Sequence, residues 1–481
     1  MMGPVKQLQP KLFRTFNIQQ RIPTDHPLRE ILRLIDFGFV RREVVDCYGS
    51  VGNPSVDPIV LMKLMFLLYY ENVRSERALM AQMPLRLDWL WFCGYDLDDE
   101  VPDHSAISRA RALWGVEVFE ELFGRILTQC VATGLVDGAI VHVDASLIAA
   151  DASLDRLQPA LRKVGHDLYE TLDEAAAEST EDTAPREDEP PSPGLTTSAT
   201  DRDARLTRSA KGGPLLGYKD HRAIDDRCGI VTATVTTDAS MPEAQMLEEV
   251  LNRHEENVGC EVRTPVTDKG YGTGENYRML HERNMKPCVP HPSQNQAGKK
   301  FHAEDFAYDG ERDVMICPAG QELKRWNHEA KRKRTRYRAS KERCDSCPLK
   351  SKCTDSKIGR LVSRHDDQEH IDWADGCLSK GERKRLMERR KSNAEGSFAD
   401  AANNHGYKRA RWRGLERVTI QNVMIATVQN VRKLMKSARR GGAAAAKAIF
   451  SGLRRLRAGI SSTLEWISGP LRFFAPHLVR S

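Results

Sequence analysis

Three acidic residues could carry chemistry, and Asp144 is the least expected of them. It lies within the apolar stretch "VHVDASLIA", part of a strand predicted over residues 139–149. Alternation along that strand places Asp144 on one face with His142 and Ser146. A buried carboxylate without a partner is costly, so Asp144 needs a hydrogen-bond network, a cation or a metal ion.

Asp268 and Glu395 are the other two candidates. Asp268 ends the apolar part of a strand predicted over residues 261–272, and α/β proteins build their sites at the carboxyl ends of strands. Glu395 lies in a helix predicted over residues 380–403, with basic residues on both sides. Taken singly, Asp268 could be a turn residue and Glu395 a solvated helix residue.

Together the three acids form a set of hard oxygen ligands of the kind that Mg²⁺ or Mn²⁺ prefers. Two such ions can activate an attacking water or 3′-OH and stabilise the leaving oxygen in phosphoryl transfer. Two further acids, Asp151 and Asp155, follow the first strand, and we expect them to be solvated loop or helix-start residues.

The charge of the chain is distributed unevenly. The net charge is +6 over 481 residues, with a pI near 8.7. Residues 171–205 are acidic, whereas 324–343 and 383–391 are dense in Lys and Arg. Basic patches suit a polyanion, so nucleic acid is the first partner to consider.

No secretion signal opens the chain, and the 11 cysteines are not spaced as a disulfide framework, which predicts a cytoplasmic protein with reduced thiols. The most apolar run, residues 58–70, is too short to cross a bilayer and contains Lys63. We therefore expect a buried helix there and no membrane contact.

The elements that must position these acids follow an α/β order. Residues 139–149 form one predicted strand, 215–237 a hairpin that turns near Gly229, 242–257 a helix and 261–272 another strand. A helix is also predicted over about 154–177. The amphipathic stretch 415–436 predicts a final helix.

These elements divide the chain into five segments. They are a helical N-terminal domain (1–135) that could bind DNA ends or serve as scaffold, the first part of an α/β core (136–299) with an acidic disordered loop (178–205), a basic cysteine-containing insertion (300–378), the last part of the core with the Glu helix (379–436), and a C-terminal tail of unknown role (437–481).

The ordered set of motifs resembles the bacterial insertion-sequence transposases of the DDE type. The blocks that carry the resemblance occur in the expected order: "VPDHSAISRAR", "VHVDASLIAADAS", "GYKDHRAID", "VTDKGYGTGENYRML", a cysteine insert and "AEGSFADAANNHGYKRARWRGLERV".

The resemblance implies a ribonuclease-H-like mixed sheet flanked by helices. It also implies a catalytic, metal-binding triad of Asp144, Asp268 and Glu395 that holds two Mg²⁺ or Mn²⁺ ions. The implied activity is cleavage at terminal inverted repeats and transfer of the 3′-OH strand into target DNA. Double-stranded DNA, a homodimer and a nucleoid-associated location follow from the same resemblance.

The residues around the last acid depart from the family motif Tyr-x2-Arg-x3-Glu-x6-Lys. Aligned on Glu395, the Tyr position is Glu388, the Arg position is Lys391 and the Lys position is Ala402. Lys408 or Arg409 could replace the missing lysine. The residues that we expect to contact DNA are Lys391, Lys408, Arg409, Arg411, Arg413, Lys331, Arg332, Lys333 and Arg334.

The insertion contains a candidate zinc site. Its cysteines occur as "MICPAG" and "ERCDSCPLKSKC", and a C-x2-C pair with flanking cysteines is compatible with tetrahedral Zn²⁺. The four residues are Cys317, Cys344, Cys347 and Cys353. Four reduced thiols in a small domain are the alternative.

Three hypotheses about function follow. The first is an active transposase. The second is a transposase-derived DNA-binding protein that no longer cleaves, and the third is a nuclease of the same fold that hydrolyses DNA without joining strands.

Overall fold

The computed structural model describes residues 16–152, 157–159, 196–198, 200–208, 213–291 and 300–440. Two compact units divide the chain. The first comprises residues 1–135, 404–406 and 423–481, and the second comprises 136–403 and 407–422. The predicted helix over 154–177 lies outside the described residues, apart from a short strand at 157–159. Of the predicted C-terminal tail, residues 441–481 also lie outside them.

The first unit is helical, as the sequence predicts. Its helices up to residue 135 are Ile18–Arg21 (α1), Pro27–Leu34 (α2), Phe39–Glu43 (α3), Pro58–Tyr70 (α4), Glu76–Gln82 (α5), Leu87–Cys93 (α6), His104–Trp114 (α7) and Glu117–Ala132 (α8). The apolar run 58–70 is the buried helix α4, whose Phe66 ring packs edge-on against Phe37 at 5.8 Å between centroids. None of the described helices is long and apolar enough to cross a membrane.

Helix α7 begins at His104, two residues before the start that a cap at Ser105 would give. The cap is Asp103, whose carboxylate accepts from the Ser105 amide at 2.8 Å. An aspartate is as good an N-cap as a serine, so Asp103 and Ser105 both fit the sequence preference for an N-cap.

The second unit contains the α/β core. Its strands and helices are Ile140–Ala149 (β1), Leu157–Pro159 (β2), Thr196–Ser198 (β3), Arg205–Arg208 (β4), Pro214–Asp225 (β5), Val231–Asp238 (β6), Leu247–Val258 (α9), Thr264–Val266 (β7) and Gly274–Glu282 (α10). Strand β1 pairs antiparallel with β5 and parallel with β7, and β6 pairs antiparallel with β5. The order β6–β5–β1–β7 is a mixed sheet of the predicted ribonuclease-H-like kind.

The predicted acidic loop 178–205 extends too far toward the C-terminus. Residues 178–195 and 199 lie outside the described residues, but β3 and the first residue of β4 fall within the range. Asp201 is buried and accepts from the Tyr218 hydroxyl at 2.5 Å. Short polar strands have no apolar alternation, so composition alone indicated a loop.

The insertion folds as a second, five-stranded antiparallel sheet. Its elements are Ala307–Asp309 (β8), Val314–Ile316 (β9), Glu322–Glu329 (β10), Arg334–Arg338 (β11), Lys341–Asp345 (α11), Lys350–Cys353 (α12) and Leu361–His365 (β12). The strands are ordered β12–β11–β10–β9–β8. The chain then continues into Gln368–Gly376 (α13), Lys380–Arg390 (α14), Gly396–His405 (α15) and Leu415–Arg440 (α16).

The two faces of β1 pack against different helices. Val141 and Val143 belong to the hydrophobic cluster that contains Leu247 and Val250 of α9. On the opposite face, Ile140 packs into a cluster with Leu386 of α14. Because side chains alternate along a strand, Asp144 lies on the α14 face.

Candidate active site

Asp144 is a largely buried acid with few donors. Its side chain is 14% exposed. Its Oδ1 accepts from the backbone amide of Ala145 at 2.9 Å and lies 3.0 Å from Nη2 of Arg390, which is itself buried. Of the possible partners for a buried carboxylate, the chain therefore supplies a cation, Arg390, at the end of α14.

Strand register explains why Asp268 lies at the same end of the sheet. In the parallel β1–β7 pair, His142 lies opposite Val266, so Asp144 and Asp268 each follow the paired residues by two positions. The predicted strand 261–272 stops at Val266, and Asp268 caps a short 3₁₀ turn by accepting from the Gly270 amide at 2.8 Å.

Glu395 is connected to Asp144 through Arg390. The Glu395 carboxylate is 57% exposed and lies 3.7 Å from Nη1 of Arg390. The other terminal nitrogen of that guanidinium faces Asp144, so one buried arginine stands between the first and the last acid of the predicted triad.

A π-helical segment at Lys391–Glu395 explains why this arginine was missed. A π-helix bonds residue i to i+5, which brings Arg390 one turn before Glu395, whereas the motif alignment assigns the basic position to Lys391. Lys391 is exposed. The run Arg389–Arg390–Lys391 shows that a basic side chain is close to Glu395, but only the π-helix determines which of the three turns inward.

A fourth acid, Glu243, lies near the first two. Burial raises the pKa of Asp144 to about 6, Arg390 opposes that rise, and the charges of Asp268 and Glu243 add to it. Glu243 begins the 3₁₀ turn before α9, a position where an acid often only complements the helix dipole. The sequence therefore carried no signal that separates Glu243 from an ordinary first-turn glutamate.

Across the described residues, no group of three or more His, Cys, Asp or Glu side chains is arranged so that it could hold a metal ion. Asp144 and Glu395 instead share Arg390, and carboxylate oxygens are chemically suited to a hard divalent cation. The arrangement is that of an acidic centre whose charge is balanced by an arginine.

Two segments of the chain match family models. Residues 16–113 match the family described as "Transposase domain (DUF772)", and residues 316–435 match the one described as "Transposase DDE domain". Both families are transposases, and the chain is similar to them over these two segments. The second match includes Glu395 and the cysteine insertion but begins after Asp144 and Asp268.

No curated protein matches the transposase. Among solved structures, the piggyBac transposase in a cryo-EM synaptic complex with hairpin DNA aligns at 10% identity and a TM-score of 0.31, over 93% of this chain and 84% of that one.

The segment after α15 brings basic residues of the transposase alongside β1. The Ala149 amide donates to the Lys408 carbonyl at 3.0 Å, and the Ala410 amide donates to the Ala149 carbonyl at 2.8 Å. Lys408 Nζ donates to the Ser146 hydroxyl at 2.6 Å, two residues beyond Asp144 on the same face. Lys408 thus brings a positive charge within electrostatic range of Asp144.

Asp151 is an anchor for this segment rather than a solvated acid. It lies 3.1 Å from Nη2 of Arg409 and 3.5 Å from Nη2 of Arg413. Arg411 is half-buried, and its amide donates to Gln421 at 2.8 Å. Asp155 lies outside the described residues.

The basic turn of the insertion is partly neutralised. Arg334 Nε lies 2.7 Å from a Glu329 carboxylate oxygen, and Lys333 pairs with Glu275. Arg332 is exposed, with Glu329 4.0 Å away, and the side chain of Lys331 lies outside the described set. The neighbouring strands carry an exposed Trp326, whose ring lies 4.7 Å from the Arg338 guanidinium carbon.

The four cysteines of the insertion line one small cavity of about 20 Å³. The Gln321 amide donates to the Cys317 sulfur at 3.2 Å, and the Arg360 amide donates to the Cys344 sulfur at 3.4 Å. All 11 cysteines of the chain are free thiols. Cys317 thus lines the same cavity as Cys344, Cys347 and Cys353, and zinc binding by these four residues stays a prediction.

Proposed function

We propose that the transposase cleaves DNA at the ends of its own element and joins the freed 3′-OH to target DNA at the centre formed by Asp144, Asp268 and Glu395. The observation that carries the proposal is the placement of the two aspartates at the same end of adjacent parallel strands. The link from Asp144 through Arg390 to Glu395 supports the third member.

DDE transposases generally use divalent metal ions. Asp144, Asp268 and Glu395 would hold Mg²⁺ or Mn²⁺ here, and the bound ions would lower the barrier to phosphoryl transfer. Arg390 balances the acids in the metal-free chain. If bound ions offset the acids instead, the Arg390 guanidinium would be available to a DNA phosphate, which it could bind through two parallel hydrogen bonds.

DNA would meet the basic residues around this centre. Lys408 and the exposed Lys391 are the nearest candidates, and Trp326 with its flanking arginines offers a second surface. Such contacts are mostly to phosphates, so affinity should fall steeply with salt. The remaining candidates are Arg409, Arg411, Arg413, Lys331, Arg332, Lys333 and Arg334.

The test is a Mg²⁺-dependent assay on a supercoiled plasmid that carries the DNA flanking the gene. Wild type should produce breaks with 3′-OH ends and joined products, whereas Asp144→Asn should bind the DNA and not cleave it. Glu249→Gln, which removes an exposed acid from α9, is the matched control and should cleave normally.

Each alternative gives a different result in the same assay. A decayed DNA-binding protein would bind without cleaving in any form, and a nuclease would cleave but fail to join a precleaved 3′ end. If Asp144→Asn cleaved as well as wild type, the triad assignment would be wrong.

A zinc site in the insertion is a second, independent proposal. Four thiols around one ion-sized cavity, two of them accepting backbone amides, have the donor chemistry of a structural Zn²⁺ site. Elemental analysis of the purified protein should find one zinc per chain, and Cys344→Ser should lose it. A protein that carries no zinc after purification in zinc-containing medium would disprove the site.

A further inference from the structure

Two short turns beside the acidic centre are tied together. One is the 3₁₀ turn that begins at Glu243, and the other is the turn Lys269–Tyr271 that Asp268 caps. The side-chain amide of Asn276 donates to the carbonyl of Ala244 at 3.0 Å and to that of Tyr271 at 2.8 Å. This bridge fixes Glu243 relative to Asp268 through backbone atoms of both turns.

The negative charge of Glu243 is only partly neutralised by its neighbours. Its nearest cation is Lys219, whose Nζ lies 3.7 Å from the carboxylate and donates to the Met241 carbonyl at 2.7 Å. On its other side Glu243 interacts repulsively with Asp268. In the described part of the chain, Arg390 and Lys408 offset the charge of Asp144 and Lys219 offsets that of Glu243, while Asp144, Asp268 and Glu243 repel one another.

The Tyr271 hydroxyl is an unsatisfied polar group close to these acids. Tyr271 is fully buried, and its oxygen has no hydrogen-bond partner. The hydroxyl lies within electrostatic range of Glu243, Asp144 and Asp268, with Glu243 the strongest of the three interactions. A buried hydroxyl without a partner is destabilising, and in native proteins such a group requires an explanation, such as an ion or a water that joins the site.

We propose that Glu243 is an additional carboxylate of the divalent-cation centre and that Tyr271 positions it by donating its hydroxyl hydrogen to that carboxylate when the centre is occupied. This inference rests on the proposed function, because it assigns a ligand and a positioning residue to the same site. A bound cation would remove both anomalies at once. It would offset the negative charges of the three acids, and the Glu243 carboxylate would accept the hydrogen bond that the Tyr271 hydroxyl otherwise lacks.

The experiment is a calorimetric titration of the full-length protein with Mn²⁺. Glu243→Gln should weaken binding about tenfold or more, and Tyr271→Phe should weaken it by about the tenfold effect that partners of metal ligands have. Glu249→Gln, an equal loss of charge on the helix that follows this turn, should bind like wild type. Asp144→Asn should lose the site.

Thermal unfolding in the absence of metal distinguishes a residue that positions a ligand from one that the fold needs. Tyr271→Phe removes a hydroxyl that bonds to nothing, so its unfolding temperature should equal or exceed that of wild type while its Mn²⁺ affinity falls. If Glu243→Gln does not fold, Glu243→Asp keeps the charge but shortens its reach, and it should fold and still bind Mn²⁺ more weakly.

Wild-type Mn²⁺ affinity in both Glu243 variants, together with its loss in Asp144→Asn, would overturn this inference and leave the proposed function standing. Equal affinity in Tyr271→Phe would overturn the role of Tyr271. If wild type bound no Mn²⁺ at all, the metal centre itself, and with it the inference, would fail.

Discussion

Asp144 and Asp220 lie on paired strands, both inside the sheet, yet their surroundings differ completely. Asp220 is fully buried and accepts from Arg222 Nε at 2.7 Å, the Thr234 hydroxyl at 2.5 Å and the Tyr407 hydroxyl at 2.9 Å. Asp144 has one backbone amide and one guanidinium, and it faces other acids. The first carboxylate is saturated with donors, and the second is not.

This difference separates a structural acid from one that can do chemistry. A carboxylate whose lone pairs are all occupied by fixed donors holds strands and side chains together and has nothing left for a ligand. A carboxylate that is buried among like charges is unstable on its own and gains from a cation. Asp225 belongs with Asp220, because it accepts from the amides of Asp137, Gly138 and Arg227 at 2.8–3.0 Å.

Removing Asp220 should have the largest effect on stability. Asp220→Ala removes the carboxylate that lies 2.7 Å from Nε of the fully buried Arg222, which should cost about 3–5 kcal/mol of unfolding free energy. Urea unfolding followed by circular dichroism measures this loss. Asp144→Asn should unfold at higher urea than Asp220→Ala, and the reverse order would contradict the distinction between the two acids.

The stability effect of Asp144→Asn should depend on pH. Because burial raises the pKa of Asp144 to about 6, its contribution to stability is fully present below the pKa of the unfolded chain and is lost as the pH rises through 6. Asparagine does not ionise. The unfolding free energy of Asp144→Asn relative to that of wild type should therefore rise by up to about 2–3 kcal/mol between about pH 4 and pH 7.

Urea unfolding of both proteins across that pH range gives the measurement. Asp151→Asn serves as the control, because it removes a more exposed carboxylate with two arginine partners and should not gain on wild type as the pH rises. A pH-independent difference between wild type and Asp144→Asn would show that Asp144 is not held in a raised-pKa environment.

The smallest expected effect is that of Tyr271→Phe. Loss of an unpartnered buried hydroxyl should stabilise the metal-free protein by about 1 kcal/mol or leave it unchanged. Tyr277→Phe is the matched comparison, since its hydroxyl donates to the Val289 carbonyl at 3.1 Å and its loss should destabilise. Differential scanning calorimetry of both variants would refute the account if Tyr271→Phe melted lower than Tyr277→Phe.

The sequence predicted the parts of the site that depend on strand pattern. Alternation in β1 placed Asp144 on its face, and the end of an apolar strand placed Asp268 beside it. These inferences held because the periodicity of a strand directly determines which face a residue occupies. The ordered motifs supplied Glu395, which no single pattern would have distinguished.

What the sequence missed depends on local geometry and on long-range packing. Because of the π-helix, the basic residue that turns inward is Arg390 and not Lys391, and such segments have no reliable sequence signature. Asn276 ties the turn that begins at Glu243 to the turn that Asp268 caps, and no sequence pattern indicates this contact. The donors that saturate Asp220 come from three separate segments, so its structural role was equally hidden.

The most direct test of the central claim is a crystal structure of the transposase with Mn²⁺ and DNA, using the anomalous signal of the metal. The account predicts an anomalous peak about 2.1–2.2 Å from carboxylate oxygens of Asp144 and Asp268, with Arg390 moved away from Asp144. A saturating Mn²⁺ soak that gave no peak there, with Arg390 still 3.0 Å from Asp144 as in the metal-free chain, would contradict it.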